Sequence, residues 1–359
     1  MKSLLGLNAF LLLIPATYWL QWSGAAPHWI ALSSALAIVP LARLLADATE
    51  ALADHLGPTA GGLMNATFGN APEIIIGYFA LRQGLVDMVK SAITGSILGN
   101  LLVGIGLIFL AQLRRSGAGP IRYDLDAFRM HCGMLVLATF GLIIPSVFDF
   151  STSSETEISL EISIVLLLMY LQSIVSTFLS VESVETDDAL EILRFEDEVG
   201  DPSDRPSSPL RAAAVLAGAT GLLAVMSETM TDALGPAAEQ LGLSAMFVGV
   251  FLLALLGNVA DLINVVRFSA RGKVDLALGI MLGSSAQMAL MVAPCLVFVG
   301  LAGGRDMNLL FSNYELLALI MTVTAVSSFL SAGQARARIG FSFLALYGML
   351  GIGFYYAPG

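Results

Sequence analysis

Charge is scarce in this chain. Only 13% of its 359 residues are Asp, Glu, Lys or Arg, against roughly 25% in an average soluble domain, so a water-facing globular surface is excluded for most of the sequence. Cysteine is scarcer still. Cys132 and Cys295 each lie inside an apolar run with no second thiol at metal or disulfide spacing, which excludes a disulfide framework and leaves two small buried side chains. The three histidines, His28, His55 and His131, form no HExxH and stand near no cysteine, so an intramembrane zinc protease is excluded as well. No motif has the spacing of a nucleophile and its base, and the chain reads as a non-enzyme without a resident cofactor.

What the sequence has in abundance is apolar length. Hydrophobic residues make up 57% of it, in runs long enough to cross a hydrocarbon core ~30 Å thick. These runs are far longer than the ~10-residue alternating segments of a barrel, so helices are the solution that satisfies every backbone group in lipid. The fold class expected is an all-α polytopic membrane protein of about 11 transmembrane helices. Spans are predicted near 3–22, 28–48, 58–81, 86–112, 126–147, 157–181, 210–233, 243–267, 274–301, 313–332 and 338–356. The first run also fits a signal peptide ending near Ser23–Ala26, but a retained helix is the preferred reading.

One long polar interruption, 182–209, ends in a Pro/Ser linker and supplies much of the net charge of −11. It divides the chain into a leading helix (1–25), a first five-helix repeat (26–181), an acidic connector (182–209) and a second five-helix repeat (210–359). With the N-terminus placed in the cytoplasm, fourteen of the 17 Lys and Arg fall inside and only Arg82, Lys90 and Arg305 outside. That bias sets the orientation, with the C-terminus outside, and supports the parity of the spans. Short loops and the lack of a targeting segment favour a prokaryotic inner membrane.

The sequence repeats itself internally. Gly69-Asn70-Ala71-Pro72-Glu73 is echoed at Gly257-Asn258-Val259-Ala260-Asp261, and the register continues with Gly84 and Gly272, Asp87 and Asp275, and Gly95-Ser96 and Gly283-Ser284. The copies lie five spans apart, an odd number, so they cross the membrane in opposite senses. Inverted repeats of this kind are the mark of secondary transporters.

Glu73 and Asp261 each sit mid-run, where a carboxylate costs several kcal/mol unless it is protonated, paired or facing a polar cavity. A single such acid could be interhelical glue; two related by a repeat point to a cation and proton site. Gly69 loosens its helix and Pro72 cannot donate to the carbonyl of Phe68, so the turn is expected to open and free main-chain oxygens. Gly257 repeats the glycine without the proline, which makes the second break less secure. With the amide oxygens of Asn70 and Asn258, these groups form a hard oxygen set suited to Ca²⁺ as a substrate and unsuited to thiolate or imidazole metals.

The next span of each repeat carries a second polar cluster, Ser96 and Asn100 in one, Ser284, Ser285 and Gln287 in the other. Ser96 and Asn100 share a helix face. Because Gly95 and Gly99 make a small-xxx-small pattern, helix packing and ion lining are both open readings there. Glu50, Glu228, Asp232 and Glu239, near span ends, are candidates for a vestibule or proton path, although hydrated acids at span ends are the plainer reading.

The stretches VPLARLLADATEALADHLGPTAGGLMNATFGNAPEIII, GSILGN, GPAAEQLGLSAMFVGVFLLALLGNVADLI and VDLALGIMLGSSAQMAL resemble the calcium/proton antiporter (CAX) family of the cation/Ca²⁺ exchanger superfamily, across nearly all of the chain after span 1. The resemblance implies one leading helix plus two inverted five-helix repeats, an acidic connector, and Ca²⁺ held by the motif acids Glu73 and Asp261 and nearby main-chain oxygens. The family's second motif usually ends in Glu-His; here it ends in Asp261-Leu262, a shorter arm that bears on calcium affinity and cation choice. The function expected is Ca²⁺/H⁺ antiport by alternating access, with Ca²⁺ and protons competing for two carboxylates. The rivals are exchange of Na⁺ or another divalent cation, and a passive cation channel. Sodium-coupled relatives usually carry a hydroxyl residue where Asn70 and Asn258 stand. Ca²⁺, H⁺ and the lipid bilayer are the expected partners, nucleic acid is not, and a homo-oligomer is left open.

Overall fold

The computed structural model describes residues 9–56, 61, 64, 67–113, 119–148, 155–183 and 208–357. Most of the acidic connector expected at 182–209, the first residues of the leading span and part of the span expected at 58–81 lie outside the described residues. Within them the chain is helical almost throughout. After a short 3₁₀ turn at Ala9–Leu12 come α1 (Leu13–Trp22), α2 (Pro27–Leu56), α3 (Ala71–Arg82), α4 (Val86–Ala111), α5 (Leu125–Val147) and α6 (Glu155–Ser183). They are followed by α7 (Pro209–Leu241), α8 (Ala245–Ala270), α9 (Val274–Ala302), α10 (Asn313–Leu330) and α11 (Ile339–Tyr356). Nine of these described helices are long and apolar enough to span a membrane.

The repeat read from the motifs extends to the helix boundaries. Val86 and Val274 open α4 and α9, Leu125 and Asn313 open α5 and α10, and both pairs keep the offset that separates Glu73 from Asp261. The turns before α4 and α9 each use a glycine at positive φ, Gly84 at 78° and Gly272 at 93°, a conformation that only glycine adopts without strain. Both α4 and α9 widen into a π-helical turn at matching places, Gly99–Gly104 and Met288–Val292. A third π segment, Val248–Leu253, precedes the motif on α8.

Two differences from the predicted spans have a common cause. α2 and α7 run eight residues past their expected ends at 48 and 233. Asp47, Glu50 and Asp54 on α2 and Glu239 on α7 ended the apolar runs, but charged side chains are ordinary helix formers and did not end the helices. The other difference is a two-stranded antiparallel ribbon, β1 (Pro120–Arg122) and β2 (Gln334–Arg336), which pairs Ile121 with Ala335. Three-residue strands leave no periodic trace in a sequence.

The chain forms two compact units, Met1–Gly84 with Met169–Gly242, and Leu85–Leu168 with Leu243–Gly359. In the first, α2 and α7 pack along each other, α3 packs on α7, and α1 packs on α2, where the Thr17 hydroxyl donates to Ser33 Oγ at 2.9 Å. Ser208 caps α7 ahead of Pro209, and Gly242 at φ 65° ends it, the asymmetry expected of helix termini. In the second, α4 is central and packs against α8, α9, α10 and α11.

Close approach in this second unit rests on glycine. A Cβ on Gly95 of α4 would run into the carbonyl of Val250 on α8, and one on Gly340 of α11 would run into the carbonyl of Gly106 on α4. Gly95→Leu is therefore expected to lower stability by about 1–3 kcal/mol, the usual cost of overpacking. The thermal midpoint of the detergent-purified protein checks this, with Gly218→Ala as a control, because nothing lies within 4 Å of a Cβ there.

Candidate cation site

In the first unit, the expected opening at the first motif is present. Thr67 and Phe68 are helical, Gly69 and Asn70 form a turn, and α3 starts at Ala71 with Pro72 in its first turn. Asn70 is the N-cap, with φ −106° and ψ 16°, and its carbonyl takes the amide of Ile74 at 3.2 Å. Glu73 follows in the first turn of α3, where the helix dipole favours a negative charge. Asn70 is buried, and Oε2 of Glu73 is shielded from solvent. Phe68 is half-buried and Gly69 exposed.

The second motif, in the second unit, is built differently. α8 runs unbroken from Ala254 through Gly257, Asn258 and Asp261 to Ala270, so no turn opens at Gly257 as one does at Gly69. The reason is chemical: Val259 and Ala260 stand where the first copy has Ala71 and Pro72, and every backbone N–H needed for the helix is present. The irregularity falls a few residues earlier, in the π segment Val248–Leu253, a form of helix that recurs at functional sites.

Around Asp261 the second polar cluster closes into a chain of hydrogen bonds across three helices. Asn100 Nδ2 on α4 donates to Ser284 Oγ on α9 at 3.0 Å, and Ser284 Oγ donates to Asp261 Oδ2 on α8 at 3.4 Å. Beside it, Ser96 Oγ donates to Asn258 Oδ1 at 3.3 Å while Asn258 Nδ2 donates to the Ser96 carbonyl at 3.0 Å. Asn258, Ser96 and Asn100 are buried. The Oδ1 of Asn100 is shielded and has no partner among the described residues, which leaves a hard oxygen available within the cluster. On α4, Gly95 packs against the backbone of α8, while Ser96 and Asn100 bond to polar groups of α8 and α9.

Not every predicted polar residue joins this cluster. Ser285 turns back on its own helix, donating to the Met281 carbonyl at 2.7 Å, and Gln287 lies half-buried beyond it. In the first unit Glu50 is buried on α2. Glu228 pairs with Arg82 at 3.3 Å, and Asp232 accepts from the Gln83 side chain, so these two acids tie α7 to the end of α3. The Arg82 guanidinium also stands 5.9 and 5.7 Å from the ring centres of Tyr78 and Phe79, a cation–π position. Glu239 is exposed in the last turn of α7.

The sequence reading missed one buried acid, Glu315. It accepts from Ser91 Oγ at 2.8 Å, from the Ser312 amide at 2.8 Å and from the Ser312 hydroxyl at 2.7 Å. With Ser312 it forms a capping box at the start of α10. The signal was present as Ser312-x-x-Glu315 ahead of an apolar run.

The profile of the sodium/calcium exchanger protein family matches residues 27–179 and 211–356. The Ca²⁺/H⁺ antiporter of Synechocystis sp. is 35% identical, over 99% of this chain and 98% of that protein. The chain belongs to this family, in its calcium/proton antiporter branch. Another relative, the Ca²⁺/H⁺ antiporter ChaA of Bacillus subtilis, is 33% identical over 96% of this chain and 98% of its own length. The crystal structure of the selenium-substituted Ca²⁺/H⁺ antiporter protein YfkE superimposes with a TM-score of 0.81 at 29% identity, covering 99% of this chain and all of that one. The first matched segment begins at Pro27, the first residue of α2, and the second ends at Tyr356, the last residue of α11, so α1 lies outside both.

Proposed function

We propose that this chain is a secondary active Ca²⁺/H⁺ antiporter in which Ca²⁺ and protons compete for the carboxylates of Glu73 and Asp261. The observation that carries this reading is the pair of repeat-related acids, Glu73 in the first turn of α3 and Asp261 on α8, a helix long and apolar enough to span a membrane. One follows a helix break that gathers Asn70 and Glu73; the other ends a hydrogen-bond chain from Asn100 through Ser284 to Asp261. The relatives named as Ca²⁺/H⁺ antiporters support the choice of ions.

The coupling follows from electrostatics. Two uncompensated carboxylates in a low-dielectric site are costly, which opposes the crossing step of an alternating-access cycle. One Ca²⁺ or two protons neutralise the pair equally well, so loaded forms cross and the two fluxes are exchanged. Asn70 and Asn258 supply amide oxygens, Phe68 and its neighbours main-chain oxygens, and Ser96, Asn100 and Ser284 orient the groups around Asp261. Glu50, Glu228 and Asp232 are assigned to the approaches. The positive-inside bias supports an N-terminus in the cytoplasm and a C-terminus outside, and the short loops favour a prokaryotic inner membrane.

The test is Ca²⁺ uptake by sealed proteoliposomes under an imposed pH gradient, repeated with an ionophore that collapses it. Uptake is expected to follow the gradient and to be unaffected by Na⁺ or K⁺. Uptake that ignores the gradient would point to a channel, and uptake that follows Na⁺ to a sodium-coupled exchanger. Lowering the pH on the Ca²⁺ side is expected to raise the apparent KM, because protons occupy the same oxygens.

A further inference from the structure

Three loops of the second unit are laced together at the end where α4, α8 and α10 finish. The loop after α4 joins the loop after α10 through β1 and β2, and the Tyr123 amide donates to the Gly333 carbonyl at 3.1 Å. The Tyr123 hydroxyl donates to the Leu330 carbonyl at 2.7 Å; burial pushes that hydroxyl up to about 12, so it stays a donor at physiological pH. The Asp124 amide donates to Asp275 Oδ1 at the start of α9 at 2.6 Å. Gln112, just past α4, donates to Ser269 Oγ on α8 at 3.2 Å.

Among the described residues, the carboxylates of Asp124, Asp126 and Asp275 at these loops are already engaged. Asp124 caps α5 by accepting from the amides of Asp126 at 2.8 Å and Ala127 at 3.0 Å. Asp275 is taken by the Asp124 amide, and Asp126 lies 3.8 Å from Arg129. Arg122, Arg336 and Arg338, in contrast, are exposed and have no ion-pair or side-chain hydrogen-bond partner among the described residues.

The ribbon sets the geometry of these guanidiniums. Burial alternates along both strands, with Arg122 and Arg336 on the outward face. Arg122 is opposite Gln334 and Arg336 opposite Pro120, so the two arginines are diagonal neighbours, ~7–8 Å apart and within common reach of one phosphate. Arg338 follows as the N-cap of α11, whose first turn contains no acid and whose cap side chain makes no capping hydrogen bond. A cation at the positive end of a helix is unfavourable unless an anion joins it. Exposed apolar side chains stand close by in sequence: Phe341 in the first turn of α11, Phe329 at the end of α10 and Met130 early in α5. They suit acyl chains, and a soluble anion has no use for them.

We propose that the β1–β2 ribbon, through Arg122, Arg336 and Arg338, binds the phosphate headgroup of an anionic phospholipid at this end of the second unit. The lipid joins the laced loops from outside and offsets the charge at the start of α11, so binding stabilises the folded protein. The experiment is a thermal-melt titration of the full chain in neutral detergent with phosphatidylglycerol, phosphatidylcholine or inorganic phosphate. Phosphatidylglycerol is expected to raise the midpoint by about 5 °C or more at saturation, and the other two to leave it in place. In the Arg122→Gln/Arg336→Gln double variant the shift is expected to disappear, while Arg305→Gln retains it. Equal stabilisation by phosphatidylcholine or inorganic phosphate, or an undiminished shift in the double variant, would overturn the proposal. If that variant folds poorly, Arg122→Lys/Arg336→Lys keeps the charge and loses the planar fork; the half-saturating lipid concentration is then expected to rise about tenfold, and a wild-type value would overturn the proposal. Because the readout is binding rather than transport, its failure leaves the antiport reading untouched.

Discussion

Glu73→Gln is expected to cut gradient-driven Ca²⁺ uptake by about 100-fold or more, a loss of roughly 2.7 kcal/mol of cation binding, while the protein purifies as a folded, helical species. The substitution keeps the volume of the side chain and leaves a neutral amide, so it spares packing and removes only the charge and the proton. Its place explains why the fold should tolerate it. Glu73 lies in the first turn of α3, just after the Gly69–Asn70 turn, where the helix ends without intrahelical partners for its first amides. A carboxylate there is favoured by the helix dipole, but a glutamine still fits. Wild-type exchange in this variant would falsify the assignment of Glu73 to the site, and with it the competition mechanism.

The second large effect is expected at Asp261, where two substitutions should separate charge from reach. Asp261→Asn removes the charge and is expected to abolish exchange to the same degree as Glu73→Gln. Asp261→Glu keeps the charge and adds one methylene. Its carboxylate is expected to reach past Ser284 Oγ, which now donates at 3.4 Å, and to change the apparent KM for Ca²⁺ by about tenfold, or some 1.4 kcal/mol, with exchange retained. Competition assays with Mn²⁺, Cd²⁺ and Na⁺ on both variants would show whether the shorter acid also sets cation choice. If Asp261→Asn transports normally, the two-carboxylate mechanism fails; if Asp261→Glu is inert, the geometry around Ser284 is stricter than a hydrogen bond of this length implies.

Ser284 provides the link between these experiments and the structure. It accepts from Asn100 and donates to Asp261, so the protonation state of the acid is coupled to the hydrogen bonding of α4. The sequence placed Ser284 and Asn100 in polar clusters on their own spans but had no means of connecting them, since they are 184 residues apart. Nor did it show that Ser285, adjacent and chemically identical, would spend its hydroxyl on the Met281 carbonyl. Neighbours on a helix point about 100° apart, and which of them faces the cluster depends on how α9 is rotated against α4 and α8.

The sequence by itself determined the membrane class, the helical architecture, the repeat and the two motif acids, because each is written in local terms: apolar run length, a five-residue motif recurring in register, and a carboxylate where lipid would otherwise exclude it. It also determined the break at Gly69, since Pro72 lacks an N–H whatever surrounds it. Tertiary structure decided the rest. It connected Asn100 through Ser284 to Asp261, set Arg82 against Glu228, and joined the loops before α5 and after α10 into a ribbon. Those outcomes depend on which backbone and side-chain groups meet across tens to hundreds of residues, and a buried polar group is satisfied by whichever partner packing brings within about 3 Å.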